Sequence, residues 1–362
     1  RLGFARNARS VSIARNRLVY THHPLGRSDI WRGSGPAAAE RTPPKRLSTH
    51  SAFEWWPAIS PDGTRYSFAS TAHGVKSLRA CDTDGRNCGD LAERGFRSVW
   101  SPDGQRIAYN GDDGQGNVDV YVVEVSGARP RRLTEDPMMD GPISWSRDGK
   151  WIYFLSDRNL RSVVGSPWGT RQPEPYFDKP MKLYQVSLRS DLRPPFRPDD
   201  ELHSDAKKND EKKKETEDKN DDKDAVARVE IELDGIQGRL WEVPIEPGRY
   251  SALSINDTAL FWIDRGAGSD SKPRLMAAKI DNQKIEPKKL VEGVRYYDMS
   301  ADGKKLVVRR GDDLFVIDAA AKEPSKLAEH KVDLDGWSFA IDVREDWRQI
   351  FIDAWRMERD YF

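Results

Sequence analysis

The chain has 362 residues, equal numbers of basic and acidic side chains, and 37% hydrophobic residues. This length is enough to bury a sizeable core, and a formal net charge of zero argues against a dominant nucleic-acid-binding surface. The sequence contains no run of 18 apolar residues, which argues against a transmembrane helix.

Short apolar segments in the first 140 residues predict repeated sets of β-strands. The first set is Leu18-Val19-Tyr20-Thr21, Asp29-Ile30-Trp31-Arg32 and Lys45-Arg46-Leu47-Ser48. The third strands of the next two sets are Ser77-Leu78-Arg79-Ala80-Cys81 and Val118-Asp119-Val120-Tyr121-Val122-Val123, and Arg131-Arg132-Leu133-Thr134 ends the third set. Each set predicts one small sheet.

One turn motif recurs between the first two strands of these sets. Its copies are Ser60-Pro61-Asp62-Gly63, Ser101-Pro102-Asp103-Gly104, Ser146-Arg147-Asp148-Gly149 and Ser300-Ala301-Asp302-Gly303, with weaker copies at Ser12 and Ser254. Proline at the second position fixes φ for a type I turn, and Asp and Gly accept the positions that follow. The serines are 48, 41, 45, 108 and 46 residues apart. A period of about 40 to 50 residues with about four strands per repeat predicts an all-β fold, a β-propeller of six or seven blades.

The step of 108 residues falls in the fourth repeat, which carries two insertions. One is a loop rich in Gly, Pro and aromatic residues at 165–177, whose length is typical of a functional or mobile loop. The other, at 199–224, has 12 acidic residues and 7 lysines. It predicts a disordered insertion, because it has too little apolar surface to fold. The last strand of this repeat is then 229–233 or 240–243.

Two more repeats run from Tyr250 to about Val332. Their third strands are predicted at 274–278 and 313–317, and their outer strands at 288–291 and 325–328. After residue 340 the apolar spacing changes to that of a helix, with Asp342 and Glu345 as its N-terminal capping pair. We therefore expect a propeller over 1–340 and a helix over 341–362 that leads into a further domain missing from this chain.

The two cysteines, Cys81 and Cys88, lie symmetrically about Asp84-Gly85. A two-residue hairpin turn at that dipeptide would place them opposite each other on paired strands. A cross-strand disulfide and two facing free thiols both fit this arrangement, and the sequence favours the thiols.

These motifs resemble those of two families. The turn motif, with the strands at 119–123 and 131–134, is similar to the repeats of TolB-like propellers, which report architecture more than function. From Gly141 onward, about 220 of the 362 residues resemble the tricorn protease family more specifically. The segments that carry this resemblance are Ser156-Asp157-Arg158-Asn159, Val164-Gly165-Ser166-Pro167-Trp168-Gly169-Thr170-Arg171-Gln172-Pro173-Glu174-Pro175-Tyr176-Phe177, Pro198-Asp199-Asp200-Glu201-Leu202-His203, Tyr250-Ser251-Ala252-Leu253 and Arg344-Glu345-Asp346-Trp347 through Phe362.

The resemblance implies the propeller part of a serine peptidase. In the tricorn family, the last matching segment leads from the second propeller into a catalytic half with a PDZ-like module and a serine peptidase core. The family's catalytic histidine, serines and glutamate lie beyond the position that matches Phe362, so the resemblance assigns no catalytic residue to this chain. The first 140 residues depart from the family's usual lysine-containing blades, which leaves a natural fusion and an engineered chimera open.

No further constellation of residues indicates catalysis or metal binding. Ser166 is followed by Pro167, which lacks the backbone N–H that an oxyanion hole would need. The six histidines are scattered without metal-ligand spacing, so no metal and no cofactor are predicted. The predicted contact residues for a peptide or a neighbouring domain are Trp168, Arg171, Glu174, Tyr176 and Phe177, in the aromatic and charged loop. The same loop could instead dock on the propeller's own flank or on the missing domain.

The expected function is that of a noncatalytic propeller that gates or channels peptides toward an active site elsewhere. The alternative is a TolB-like propeller that binds a protein or peptide at its pore mouth. Expected partners are peptides and the missing catalytic and PDZ-like domains; a homo-oligomer stays open, and no nucleic acid is expected. The chain begins Arg1-Leu2-Gly3, without an initiator Met or the apolar region of a signal peptide. We therefore expect a soluble, cytoplasmic piece of a longer protein, with the periplasm as the alternative.

Overall fold

The computed structural model describes residues 8–22, 28–34, 44–48, 52–163, 176–198, 228–268, 270–282, 285–336 and 343–361. These residues form an all-β, six-blade β-propeller and one C-terminal helix. The turn repeat predicted six or seven blades, and the structure has six. The chain divides into two compact units, Arg1–Ser98 with Val332–Phe362 and Val99–Lys331.

Each blade is a small sheet whose strands are hydrogen-bonded in chain order. The first two sheets contain β1 (Ala8–Ala14), β2 (Arg17–His22), β3 (Asp29–Ser34) and β4 (Lys45–Arg46), then β5 (Glu54–Ile59), β6 (Arg65–Ser70), β7 (Ser77–Asp82) and β8 (Gly89–Glu93). The next two contain β9 (Gly95–Trp100), β10 (Arg106–Asp112), β11 (Val118–Glu124) and β12 (Arg131–Arg132), then β13 (Asp140–Trp145), β14 (Trp151–Ser156), β15 (Lys182–Ser187) and β16 (Leu240–Glu242). The last two contain β17 (Tyr250–Ile255), β18 (Ala259–Asp264), β19 (Arg274–Lys279) and β20 (Lys288–Glu292), then β21 (Val294–Met299), β22 (Lys305–Arg310) and β23 (Asp313–Asp318). The helix α1 spans Val343–Tyr361.

The turn between the first two strands of a sheet is held by one serine hydroxyl. In the third sheet, Ser101 Oγ accepts a hydrogen bond from the Arg106 amide at 2.9 Å and donates one to Asp103 Oδ1 at 2.6 Å. Asp103 also accepts a hydrogen bond from the Gln105 amide at 3.1 Å, as in an Asx turn. Gly104 completes the turn with φ of 67°, which side chains with a Cβ rarely adopt. The predicted motif is therefore a hydrogen-bonded hairpin turn.

The same hydroxyl bond recurs in three other sheets. The distances from Oγ to the amide nitrogen five residues later are 3.0 Å at Ser60, 2.9 Å at Ser146 and 2.9 Å at Ser300. In the copy at Ser300, the serine hydroxyl and the Lys304 amide donate hydrogen bonds to Asp302 and lower the pKa of that carboxyl. Four of the six blades thus share one local interaction.

The two weaker copies of the turn begin two residues later than predicted. Ser12 and Ser254 were the predicted first residues, but the turns begin at Ala14 and Asn256. The Asn256 amide donates to Ala259 O at 3.1 Å, and Asn256 Oδ1 accepts from the Ala259 amide at 2.8 Å. One asparagine amide group therefore replaces the serine and aspartate pair, in a turn that is two residues shorter.

The first strand of several sheets contains a bulge with a positive φ angle. The bulged residues are Ser10, Trp56, Arg97 and Ala252, with φ of 48°, 50°, 46° and 54°. Each lies four residues before the first residue of its turn. The pairing of β5 with β6 shifts register between Trp55 and Ala58, as expected for a bulge. These bulges direct side chains of the first strands away from the regular alternation of a strand.

The core lies between neighbouring sheets, so the middle strands are buried on both faces. All six residues of β14 are buried, which explains why the predicted strands were apolar without alternation. The largest fully buried side chains in the unit Val99–Lys331 include Tyr153, Phe154, Phe261 and Trp262.

The structure decides between two predicted outer strands in the fourth sheet and contradicts the one predicted in the sixth. In the fourth sheet, β16 (Leu240–Glu242) pairs with β15, so the later of the two predicted segments forms the strand. In the sixth sheet, the predicted outer strand at 325–328 is wrong, because Leu327–His330 forms a 3-10 helix. Its turn hydrogen bonds, such as the one from the Glu329 amide to Lys326 O at 3.2 Å, take the place of a strand ladder.

The two cysteines form a disulfide, so the favoured prediction of free thiols was wrong. The pairing of Ala80 with Gly89 places Cys81 opposite Cys88, with Cα atoms 4.1 Å apart. The turn that brings them together includes Gly85, whose φ is 87°. The symmetry about Asp84-Gly85 therefore predicted the geometry correctly but not the bond.

The recurring Arg-Leu-Ser/Thr segments pair a partly exposed arginine with a buried aspartate at the start of a third strand. Arg46 binds the buried Asp29 at 2.8 Å, and Ser48 Oγ accepts from the Ile30 amide at 2.9 Å. In the other unit, the pattern repeats with Arg132 on the buried Asp119 at 2.6 Å and Thr134 Oγ1 on the Val120 amide at 3.0 Å. These segments thus tie the outer edge of a sheet to its third strand.

A second buried carboxyl group lies near each of these ion pairs: Glu54 near the first and Asp140 near the second. These two carboxyl groups have different partners. Asp140 is 3.1 Å from Arg158. Glu54 is 1% exposed, and neither of its carboxylate oxygens completes a hydrogen bond. Burial, together with the Asp29 carboxylate, raises the pKa of Glu54 to about 7, although Ser48 and Arg79 oppose the shift. Glu54 therefore keeps its proton in the folded chain at pH values where an unfolded glutamate loses it.

We expect Ser101→Ala to lower the free energy of unfolding by about 1–2 kcal/mol, because it removes a buried hydroxyl and leaves a partly buried amide without its acceptor. Ser300→Ala removes the same hydrogen bond from an exposed turn, where water can replace the hydroxyl, and is the matched control. Urea unfolding of both variants measures the difference. Equal losses in the two variants would show that burial does not set the strength of this turn.

We expect the stability of the native chain to fall as the pH rises from about 4.5 through about 7, because folded Glu54 binds a proton that the unfolded state releases. Over this window Glu54→Gln should reduce the loss by about 3 kcal/mol. Urea unfolding at pH 4.5, 6 and 8 gives the comparison, with the exposed Glu93→Gln as the control. A Glu54→Gln profile parallel to that of the native chain would contradict the assignment.

Candidate functional site

The structure describes two of the five predicted contact residues. Tyr176 and Phe177 are the last two residues of the predicted loop, whereas Trp168, Arg171 and Glu174 lie outside the described residues. Tyr176 is 42% exposed, and Phe177 is partly buried. At this end of the loop, only Tyr176 presents a large part of its ring to solvent.

The two ends of this loop are joined by hydrogen bonds. The Val163 amide donates to Tyr176 O at 2.9 Å, and the Tyr176 amide donates to Ser162 Oγ at 3.2 Å. Leu160 and Val163 are 63% and 42% exposed. The base of the loop is therefore fixed, and it presents apolar surface to solvent.

A polar pocket of about 720 Å³ lies near this base, within the unit Val99–Lys331. Lys179 lines the pocket, and its carbonyl oxygen accepts a hydrogen bond from Asn159 Nδ2 at 2.6 Å. Two backbone hydrogen bonds of 2.9 and 3.0 Å then join Met181 to Gly248, just before β17. The volume falls within the range of about 300–1,000 Å³ that small ligands occupy.

Charged side chains of both signs line the pocket. Two ion pairs form part of its wall, Arg274–Asp264 at 2.6 Å and Lys289–Glu292 at 3.5 Å. Three further cations, Lys179, Arg249 and Lys272, form no ion pair with a described residue. The pocket therefore offers positive groups that an anionic ligand could neutralise, beside carboxylates that could hold an ammonium group.

The hydroxyl groups of the pocket donate to backbone carbonyls. The Tyr250 hydroxyl donates to Glu246 O, and burial, together with the Asp264 carboxylate, raises the pKa of that phenol. Ser271 Oγ donates to Ala267 O at 2.7 Å. Among the described residues that line the pocket there is no histidine or cysteine. None of them therefore supplies the imidazole that most often activates a serine for hydrolysis.

The pocket was not predicted from the sequence, because its lining comes from separate parts of the chain. Lys179 and Lys289 both line it, although they are 110 positions apart. The lysines and arginines of these loops look like ordinary surface residues in the sequence. The one sequence feature near the pocket that predicted a functional role was the loop at 165–177, which is rich in proline and aromatic residues.

In the other unit, α1 presents an exposed apolar face. Val343, Trp347, Ile350, Phe351 and Trp355 are 47%, 67%, 59%, 71% and 53% exposed. Their spacing of three and four residues places them along one side of the helix. The helix was predicted correctly, while the predicted capping side chains of Asp342 and Glu345 lie outside the described residues.

Two searches of the described residues give negative findings. They contain no group of three or more His, Cys, Asp or Glu side chains that could hold a metal ion. No helix in the described ranges is both long and apolar enough to cross a membrane.

Known proteins resemble this chain in sequence and fold. The sequence-family model described as the tricorn protease second β-propeller domain matches residues 90–320 of this chain. Tricorn protease homolog 1 of Streptomyces coelicolor is 22% identical over 326 residues, covering 84% of this chain and 29% of the homolog. The crystal structure of the tricorn protease superposes with a TM-score of 0.67 at 15% identity, covering 98% of this chain and 33% of that chain.

A shorter similarity concerns the TolB-like repeats. The Tol-Pal system protein TolB of Anaeromyxobacter dehalogenans is 37% identical over 92 residues, covering 25% of this chain and 21% of that protein. The chain spans about a third of the tricorn relatives it matches. Because the family model covers well over half of the chain, the chain belongs to the tricorn protease second β-propeller domain family.

Proposed function

We propose that this chain is the noncatalytic propeller part of a tricorn-like serine peptidase, and that it gates or channels peptides toward an active site outside the chain. The observation that carries the proposal is the family match over residues 90–320, together with six sheets of the matching fold. The chain spans about a third of the tricorn relatives, which leaves room in such proteins for separate catalytic domains.

The first strands of the blades support a passage for extended peptides. Within each sheet the first strand pairs on one side only, and propeller blades surround a central channel. Arg97 and Tyr296 lie on such strands and are exposed. Extended chains can contact such edges through backbone hydrogen bonds, whereas a folded protein would be excluded by a narrow channel.

The loop in the fourth blade is the proposed contact for peptides or for a neighbouring domain, through Trp168, Arg171, Glu174, Tyr176 and Phe177. The exposed ring of Tyr176 and the fixed loop base support this role. The pocket near the base adds charges of both signs, which suits a peptide because its ends and side chains also carry both.

The apolar face of α1 is the proposed docking surface for the catalytic half and its PDZ-like domain. A face with two tryptophans and a phenylalanine exposes more apolar surface than a helix that stays in contact with water normally does. Aromatic side chains of this kind dominate the energy of many domain interfaces. A homo-oligomer would be a second way to cover the same face.

A second candidate function is a TolB-like propeller that binds a protein or peptide at its pore mouth. The 37% identity to TolB over 92 residues favours it. This candidate gives α1 no role in binding a catalytic domain, so variants of the helix separate the two proposals.

The disulfide bears on the proposed compartment. Disulfides persist in oxidising compartments such as the periplasm and are rare in the cytosol of mesophiles. The bond between Cys81 and Cys88 therefore supports the periplasmic alternative over the cytoplasm.

The chain should bind the separately produced catalytic part of a tricorn-like peptidase, and Trp347→Ala with Phe351→Ala should weaken this binding at least about tenfold, because both rings lose buried contact. Calorimetric titration measures the affinity. Ile13→Ala, which removes an exposed apolar side chain from β1 in the same unit, should have no effect.

Binding that is unchanged in the double variant would contradict docking through α1, and no binding at all would favour the TolB-like candidate. Fluorogenic peptides should be turned over by the mixture but not by the chain alone. Turnover by the purified chain that disappears in Ser166→Ala would overturn the noncatalytic role.

Maleimide added to intact cells before lysis should leave both cysteines unmodified, because the disulfide blocks them. Reduction before labelling should expose both thiols to the reagent. Mass spectrometry counts the labels, and full labelling without reduction would place the native chain in a reducing compartment.

A further inference from the structure

An exposed run of aromatic rings, here called the aromatic patch, crosses the unit Arg1–Ser98. It consists of Phe53, Trp55, Trp56 and Phe96. Consecutive ring centroids are 5.8, 6.2 and 5.8 Å apart, and the first two rings are stacked at an interplanar angle of 8°. Phe53 is 49% exposed, and the other three rings are partly exposed.

The bulge in β5 brings these rings to one side. Neighbouring residues of a regular strand point to opposite faces, so Trp55 and Trp56 would not otherwise meet. Positive φ at Trp56 and the register shift after Trp55 redirect the second indole next to the first. The bulged residue of β9 is Arg97, directly after Phe96, so the corresponding position of the next sheet supplies a cation.

Two cations lie over the aromatic patch, and neither has a carboxylate partner among the described residues. Lys76 Nζ is 4.6 Å from the ring centroid of Phe96, and Arg97 Cζ is 5.1 Å from that of Trp56. Neither side chain forms an ion pair with a described residue. By contrast, Arg79 on the same sheet binds Asp90 at 2.9 Å.

We propose that the aromatic patch binds a peptide segment that presents acidic side chains beside an aromatic or large apolar one. The proposal rests on the proposed function, because it names a class of peptide that the propeller takes up. The apolar side chain packs on the exposed rings, and the carboxylates pair with the cations of Lys76 and Arg97.

The number of cations favours an acidic peptide over other ligands of aromatic surfaces. A neutral sugar would leave both cations unpaired beside it. A single-stranded nucleic acid needs a groove of positive charge along several phosphates, whereas the patch carries two cations. The surrounding sequence is basic as a whole, since residues 1–98 contain 16 Lys and Arg but 8 Asp and Glu.

The test uses the full chain and two blocked peptides, acetyl-Gly-Phe-Glu-Phe-Glu-Gly-amide and the same peptide with Gln for each Glu. Blocking both ends removes the terminal charges. Tryptophan fluorescence and calorimetry should give tighter binding of the Glu peptide at low salt, by roughly two- to thirtyfold for two exposed ion pairs. High salt should remove most of this preference.

Variants then locate the site. Lys76→Gln with Arg97→Gln should abolish the preference for Glu over Gln, and Phe53→Ala should weaken both peptides alike. Arg86→Gln, which removes one positive charge, is the control for position: Lys76 directly precedes β7, and Arg86 lies beyond the other end of that strand. It should leave the preference unchanged.

Equal affinity for the two peptides would overturn the proposal, and this comparison uses the native chain, so it holds even if a variant fails to fold. Tighter binding of oligo(dT) or of a neutral oligosaccharide than of the Glu peptide would also overturn it. A chain that binds the catalytic part through α1 but shows no Glu preference would refute this inference alone. A chain that shows the preference but binds no catalytic part would refute the peptidase assignment alone.

Discussion

The hydrogen bonds of one serine hydroxyl are the local interaction on which the repeated fold depends. Ser101 Oγ serves as acceptor for one strand and as donor to the turn carboxylate, so a single buried atom sets both the length of the turn and the register of the hairpin. Where serine is absent, as at Asn256, a side-chain amide makes the same closure in a shorter turn. In five of the six sheets a side-chain oxygen therefore closes the first turn, although the residue that supplies it differs.

The same turn also fixes a distant part of the chain. Asp103 Oδ2 accepts a hydrogen bond from the Val229 amide at 2.8 Å, and the Arg106 guanidinium donates to Val229 O at 2.6 Å. Val229 is buried against Gly149. Shortly after the charged insertion, Val229 is therefore held by hydrogen bonds to the third blade and by packing against the fourth. This anchoring explains how the fourth blade can accept the insertion and still recover its fourth strand, β16.

Much of the fold could be predicted because its determinants are local. The turn motif predicted the blades, the short apolar runs predicted the third strands, and the helical spacing of apolar residues predicted α1. The error at 325–328 arose because a Lys-Leu segment fits both an outer strand and a helical turn. Free thiols were favoured at Cys81 and Cys88 because spacing sets the distance between two sulfurs and not their oxidation state. The bulges at Trp56 and Arg97 have no sequence signal, since positive φ is unusual for both residue types.

The surfaces available for function lie outside the local interactions that build the blades. The turn serines and the pairs of an arginine with a buried aspartate recur in more than one blade, whereas the pocket lined by Lys179 and the aromatic patch at Trp56 each occur in one place among the described residues. A repeat that specifies architecture leaves its bulged and loop positions free to vary. A bulge at the same position bears an indole in one sheet and a guanidinium in the next. The chemistry that distinguishes this propeller from others is therefore carried by positions where the backbone, and not the repeat motif, decides which side chains meet.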